Sequence, residues 1–242
     1  MSDHHKETFI SKYIFSMDHK MIAKQFLITG MIMAVLGMLM SAVFRVQLAN
    51  PGESSFLYNL LPGSWVNELG ALNPDKYLAL VTMHGTILVF WVLTAGLSGT
   101  FANFLIPLQI GARDMASGFL NMLSYWFFFI ATVVLVSSIY VQGGPASGGW
   151  TIYPPLSALP QAIPGSGTGM TLWLISITLF VVGSLLGGLN YIVTILNLRT
   201  KGMSMKRMPL TVWALLVTAI LGVLSFPVLL SCGLLLVFDR SF

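Results

Sequence analysis

Charge is scarce in this chain: 8% of its 242 residues are Asp, Glu, Lys or Arg, whereas 56% are hydrophobic. So few polar side chains cannot cover a water-exposed surface. That excludes a soluble globular domain, and a mean hydropathy of +0.84 makes the bilayer the solvent. Cysteine is nearly absent as well. The single Cys232 lies in an apolar run, which excludes an intramolecular disulfide or cysteine metal cluster within the chain and leaves a packing role. A continuous basic stripe is also lacking: the net charge is +4, but the twelve Lys and Arg are scattered between apolar runs, so no nucleic-acid partner is expected. The N-terminal MSDHHKETFISKYIF is polar for too long, and lacks a small-residue cleavage site, to be a cleaved signal peptide. It reads as a cytoplasmic segment lying at the membrane surface. No internal or inverted repeat of the transporter kind is visible.

What is present is long apolar sequence. Stretches of roughly 20 residues, the length that crosses about 30 Å of hydrocarbon, occur near residues 24–44, 79–108, 121–141, 170–196 and 210–236. The expected fold is therefore all-α, a polytopic transmembrane helix bundle of five spans forming a single domain over residues 1–242. Turn chemistry fills the gaps: NPGESS, LPGSW and NPDK, then QGGPASGG and PQAIPGSGTG, then RTKGMSMKRMP. Nine basic residues fall on one side (Lys6, Lys12, Lys20, Lys24, Arg113, Arg199, Lys201, Lys206 and Arg207) and three on the other (Arg45, Lys76 and Arg240). Because cytoplasmic loops carry the Lys and Arg excess, the N-terminus is expected in the cytoplasm, with the C-terminus and the GWTIYPPL loop outside. Gly183 and Gly187 have the spacing that lets helices approach closely.

Ionisable and polar residues inside such spans are the candidates for chemistry. His84, in YLALVTMHGTILVFW, is costly in hydrocarbon unless it is paired or coordinated. Either it ligates a haem iron, with Gly85 leaving room for a porphyrin plane, or it hydrogen-bonds a carbonyl or a neighbouring helix. Arg45 closes the first span at its outer edge. There it is either a snorkelling arginine or a fixed positive donor to an electronegative cofactor substituent, which favours the electron-rich state. Tyr77 and Trp150 sit at the outer interface, where aromatic belts are routine. On the inner side, PLQIGARDMASGFLN puts Asp114 in a tight loop beside Arg113. It forms a surface ion pair there, or it joins Asn103, Asn121 and the deeper Ser184 in a polar line that holds ordered water and passes protons.

The blocks SMDHKMIAKQF, FRVQLANPG, VTMHGTILVFW, FANFLIPLQIGARDMA, GWTIYPPL and SFPVLLSCGLLLVFDRSF together cover nearly the whole chain. In order and spacing they resemble the N-terminal part of subunit I of haem–copper cytochrome c oxidases. The resemblance implies that His84 is an axial ligand of the low-spin haem and that Arg45 contacts the formyl group of haem a. It places Tyr77 and Trp150 near the haem propionates, Asp114 at the mouth of the D proton pathway, and Asn103, Asn121 and Ser184 along it.

The resemblance has two departures. The family's subunit I has twelve spans, so the second haem ligand, the high-spin haem and copper ligands, the inner glutamate of the D pathway and the K pathway are not in this chain. A split subunit, a partial sequence or a fragment is implied. Gln47 stands where many members have a glutamate at a peripheral cation, while Met122 and Gly183 replace an amide and a serine of the pathway. The implied function is part of a proton-pumping terminal oxidase that passes electrons from cytochrome c to oxygen. Its implied partners are the remainder of subunit I, other subunits including the copper-carrying one, cytochrome c and the lipid bilayer, and its expected place is a bacterial plasma membrane. A quinol-oxidising relative, a haem-free five-span transporter and an assembly subunit are the alternatives.

Overall fold

A computed structural model of the protein describes residues 9–162 and 167–241. Lys6 and the rest of the first eight residues, the IPGS part of the third loop and the terminal Phe242 lie outside the described residues. Five helices are long and apolar enough to cross a membrane: α1 (His19–Ala49), α2 (Pro74–Ile110), α3 (Gly118–Ser137), α4 (Gly167–Asn197) and α5 (Leu210–Ser241). No strand occurs among the described residues. Helices satisfy their own backbone groups, which hydrocarbon cannot do for them.

The helix ends depart from those of the apolar stretches, reaching beyond most of them but stopping at Ser137 where the third was expected to run to 141, because caps, not hydropathy, set their starts. α1 starts at His19, where the Asp18 side chain accepts the Lys20 N–H. α2 starts at Pro74, whose absent N–H is no loss in a first turn. The Ser117 hydroxyl accepts from the Leu120 N–H and caps α3. α2 also changes type along its length, from α-helical (Pro74–Thr86) to π-helical (Ile87–Leu97) and back (Ser98–Ile110). The Thr94 hydroxyl donates to the Val89 carbonyl five residues back, as the wider turn allows.

α1 and α2 run antiparallel in a register that can be read from three levels. Gly30 meets Gly96, Gly37 meets Ile87 and Leu88, and Phe44 meets Tyr77 with ring centroids 6.1 Å apart. At the first level the backbones touch: a Cβ on Gly30 would lie 2.9 Å from the Gly96 Cα. Such contact without side chains is what lipid-embedded helices use in place of a hydrophobic drive.

The core lies where the first four helices meet. Trp91 and Phe180 have ring centroids 5.3 Å apart, and Phe26 of α1 stacks on Phe128 of α3 at the same separation. The Trp91 Nε1 donates to the Thr132 hydroxyl at 2.8 Å, so the one polar atom of the buried indole is satisfied. Gly183 packs as its spacing predicts, since a Cβ there would lie 2.8 Å from the Ser124 carbonyl oxygen. α5 is peripheral. Only 6% of its most apolar window is buried, against 39% or more in the other spans. It leans on α4, meets α2 through Ile106, Ile110, Val212 and Leu216, and leaves Leu221, Leu224, Val228 and Leu235 exposed.

The loop over residues 50–73 is latched to α1 by Gln47. Its Oε1 accepts from the Tyr58 hydroxyl at 2.7 Å and the Leu72 N–H at 3.0 Å. Burial pushes the Tyr58 phenol above its ordinary pKa, which keeps it a donor. Lys76 donates to the Gly143 carbonyl and pairs with Asp75, pinning the loop after α3.

Candidate functional site

Two groups of the candidate residues gather at opposite ends of the bundle. Toward the end of the bundle where α1 finishes and α2 begins, the His84 Nδ1 lies 2.8 Å from the Gly37 carbonyl oxygen. A carbonyl only accepts, so Nδ1 is the donor and Nε2 is the nitrogen left for another partner. Nε2 makes no hydrogen bond among the described residues. Tyr77 lies seven residues before His84, on the same helix face and about 10 Å along it. Phe44 packs edge-on against both rings. Trp150 joins the group from the loop after α3, which the Gly149 N–H fastens to the Thr82 hydroxyl at 2.8 Å.

One expectation is corrected here. The space beside Gly85 is taken by Trp150, whose indole carbons lie 3.2–3.4 Å from where a Cβ would be. Glycine at this position seats an indole. The donor set nevertheless fits a haem iron: an imidazole, half-buried, with its ring plane fixed through the other nitrogen. Arg45 is exposed, about two turns beyond Gly37 on α1, and makes no hydrogen bond or ion pair among the described residues. Among the described residues no three His, Cys, Asp or Glu side chains converge on a metal position.

At the other end Asp114 is half-buried, and its carboxylate accepts the Met115 N–H at 2.6 Å. No ion pair with Arg113 occurs among the described residues, so the surface-pair reading of this aspartate loses its partner. The loop docks on α4 through the Ala116 N–H to the Thr194 hydroxyl and the Ser117 N–H to the Asn190 side-chain oxygen. Asn103 and Asn121 are fully buried. The Asn103 Oδ1 and both polar atoms of the Asn121 side chain have no partner among the described residues.

Sequence reasoning missed several neighbours of this line. His19 is buried, and its Nδ1 donates to the Asn103 carbonyl at 2.8 Å. The Tyr191 hydroxyl accepts from the Asn103 amide at 3.1 Å. Beyond them lies a cavity of about 100 Å³ bordered by Tyr191, Ser124, Ser184, Thr94 and Ser98. Ser184 reaches this cavity, but no hydrogen bond links Asp114 directly to Asn103, Asn121 or Ser184 among the described residues. The overlooked signal was polarity at helical spacing: Ser184, Asn190 and Tyr191 fall on neighbouring turns of one apolar helix. Buried polar groups without protein partners are normally bonded by ordered water; the cavity has room for several molecules, and Ser184 and Tyr191 border it whereas Asn103 and Asn121 do not.

The family described as "Cytochrome C and Quinol oxidase polypeptide I" matches residues 21–242. The chain belongs to this family. Among relatives of this oxidase family, "Alternative cytochrome c oxidase subunit 1" of Bradyrhizobium diazoefficiens is 40% identical over 98% of the chain and 37% of the relative. "Cytochrome c oxidase subunit 1" of Thermostichus vulcanus is 39% identical over 95% of the chain and 38% of the relative. The protein of the same name from Candida albicans is 38% identical over 97% of the chain and 41% of the relative. The chain thus spans about two fifths of the length of these curated oxidase relatives. The resemblance carried by the sequence blocks holds along almost all of it.

Proposed function

We propose that the chain forms the part of a respiratory terminal-oxidase subunit that holds one side of the low-spin haem and the entrance of its proton pathway. It works together with the rest of subunit I and the other subunits of a membrane complex. The carrying observation is the His84 imidazole, held inside a membrane helix with Nδ1–H on the Gly37 carbonyl and Nε2 free of partners among the described residues. Membership of the oxidase family supports the same reading.

A haem iron bound there supplies one-electron redox chemistry. His84 would hold the iron through Nε2, and its bond to Gly37 would keep the ring from turning away. Arg45 would bring a positive charge that favours the reduced, electron-rich haem and so raises its potential, while Tyr77 and Trp150 would hold the haem propionates. Asp114 collects protons at the charged end of the bundle. The amides of Asn103 and Asn121 and the hydroxyls of Tyr191, Ser124 and Ser184 then hold a water line inward. With the N-terminus in the cytoplasm, the side on which the basic residues are in excess, protons enter from inside while electrons arrive from outside. Cytochrome c is the proposed donor, in keeping with the names of the relatives, and a bacterial plasma membrane is the proposed location.

The test is a reduced-minus-oxidised and pyridine-haemochrome spectrum of the purified membrane complex, comparing wild type with His84→Ala. Loss of the low-spin haem from an assembled variant is expected. A haem-free wild type, or an unchanged spectrum in the variant, transfers support to a transporter or an assembly subunit.

A further inference from the structure

Thr82, Gly85 and Thr86 lie three and four residues apart on α2, so they share one face of the helix, while His84 leaves the same turn in another direction, toward Gly37 of α1. Both threonines are buried, Thr82 1% and Thr86 0% exposed. Each satisfies its own proton on the carbonyl four residues back, Thr82 on Leu78 and Thr86 on Thr82, at 2.8 Å. That fixes both rotamers and leaves each hydroxyl oxygen as an acceptor. Thr86 accepts from the Trp173 Nε1 of α4 at 3.0 Å. Thr82 instead accepts a backbone group 67 residues away, the Gly149 N–H, at 2.8 Å.

What that bond holds is the next residue. Gly149 has φ +84°, a left-handed conformation in which glycine alone is at ease, and the chain passes from it directly into Trp150. The Trp150 indole lies across Gly85, where a Cβ would stand 3.2 Å from its Cδ1, and meets Phe90 with ring centroids 5.9 Å apart. Thr82, Gly85 and Phe90 therefore fix the register of Trp150 on the helix that carries His84. The ring itself is 44% exposed, and its Nε1 makes no hydrogen bond among the described residues. It is a donor held in place with nothing yet to donate to.

We propose that Thr82 is a positioning residue of the haem site: by accepting the Gly149 N–H it keeps the Trp150 indole beside His84 as a donor toward the haem carboxylates. This inference rests on the proposed haem at His84. A donor on those carboxylates offsets negative charge near the iron and so favours the reduced haem. Thr82 touches no part of the cofactor and acts only through Trp150. Lys76 pins the same loop at the Gly143 carbonyl, so loss of the Thr82 acceptor frees the register of Trp150 without detaching the loop.

The experiment compares wild type, Thr82→Val, Thr82→Ser, Trp150→Phe and the double variant Thr82→Val/Trp150→Phe in the intact membrane complex. Hydrogen–deuterium exchange of the peptide containing Gly149 reads the bond without reference to haem, and a redox titration reads the low-spin haem. Thr82→Val keeps the side-chain shape and loses the acceptor. It is expected to speed exchange about fivefold and to lower the reduction equilibrium about threefold, which is about 28 mV for one electron. Thr82→Ser keeps the hydroxyl and behaves as wild type in both readouts. Trp150→Phe lowers the potential, and adding Thr82→Val to it speeds exchange but lowers the potential no further, because the two residues act as one unit.

Unchanged exchange in Thr82→Val, faster exchange with an unmoved potential, a further fall in the double variant, or no rescue by serine overturns the proposal. A wild-type potential in Trp150→Phe overturns it however well the threonine variants assemble. An assembled wild type without low-spin haem overturns the proposed function and this inference with it, whereas a normal haem with an unmoved potential overturns the inference alone.

Discussion

Asn121→Leu puts the water line to a direct test, because it swaps a buried amide for an apolar side chain of similar size. Asn121 is 0% exposed, and neither its amide nitrogen nor its oxygen has a partner among the described residues. Were the site dry, two unpaired polar atoms would cost roughly 1–3 kcal/mol each, and leucine would stabilise the complex by about 2–6 kcal/mol. If water bonds both atoms, that gain is absent, and the variant loses hydrogen bonds worth about 1 kcal/mol apiece. Proton transfer then crosses a gap whose barrier is higher by about 1.4 kcal/mol, one lost hydrogen bond, which slows uptake roughly tenfold. Time-resolved proton uptake by the assembled complex in vesicles, together with its thermal unfolding, measures both consequences. A variant that is several kcal/mol more stable and takes up protons at the wild-type rate would refute the hydrated path.

Three further outcomes follow from the same geometry. Asp114→Asn slows turnover or pumping in the complete complex while haem spectra stay normal; unaltered proton uptake removes Asp114 from the pathway. Arg45→Met lowers the low-spin haem potential and shifts its absorption band, and a redox titration that does not move returns Arg45 to an interfacial lysine-like role of snorkelling. Gly96→Ala drives a methyl into the Trp91 carbonyl, 2.7 Å away, and toward Gly30 at 3.0 Å. An overpacking cost of about 1–3 kcal/mol is expected in thermal unfolding of the complex, and a variant as stable as wild type shows that the π-helical segment yields freely.

Much of the architecture was legible because a bilayer imposes a simple code. Four of the five apolar stretches marked in the sequence lie within one long helix each, and the third, 121–141, outruns its helix by four residues at Ser137, since about 20 residues of hydrocarbon-compatible chain can fold in no other way there. Helix ends were less legible. Asp18, Pro74 and Ser117 set them by hydrogen bonding or its absence, which hydropathy does not register. The π-helical middle of α2 left no mark, because its residues are as apolar as those of any α-helical span.

The candidate residues divide in the same way. His84, Asp114, Asn103 and Asn121 stand out in the sequence because polar groups in hydrocarbon are expensive. Their identity alone left His84 open between a ligand and a hydrogen-bonded histidine. The fold gives Nδ1 to Gly37 and leaves Nε2 without a partner among the described residues, an arrangement that accommodates both readings. Composition and apolar length determined that this protein is a five-helix membrane bundle, since those properties depend only on the solvent each stretch can tolerate. Which polar atoms find partners depends on distances between residues far apart in the chain. Tertiary structure alone therefore decided that Trp150 fills the room at Gly85, and that His19 and Tyr191 join Asn103.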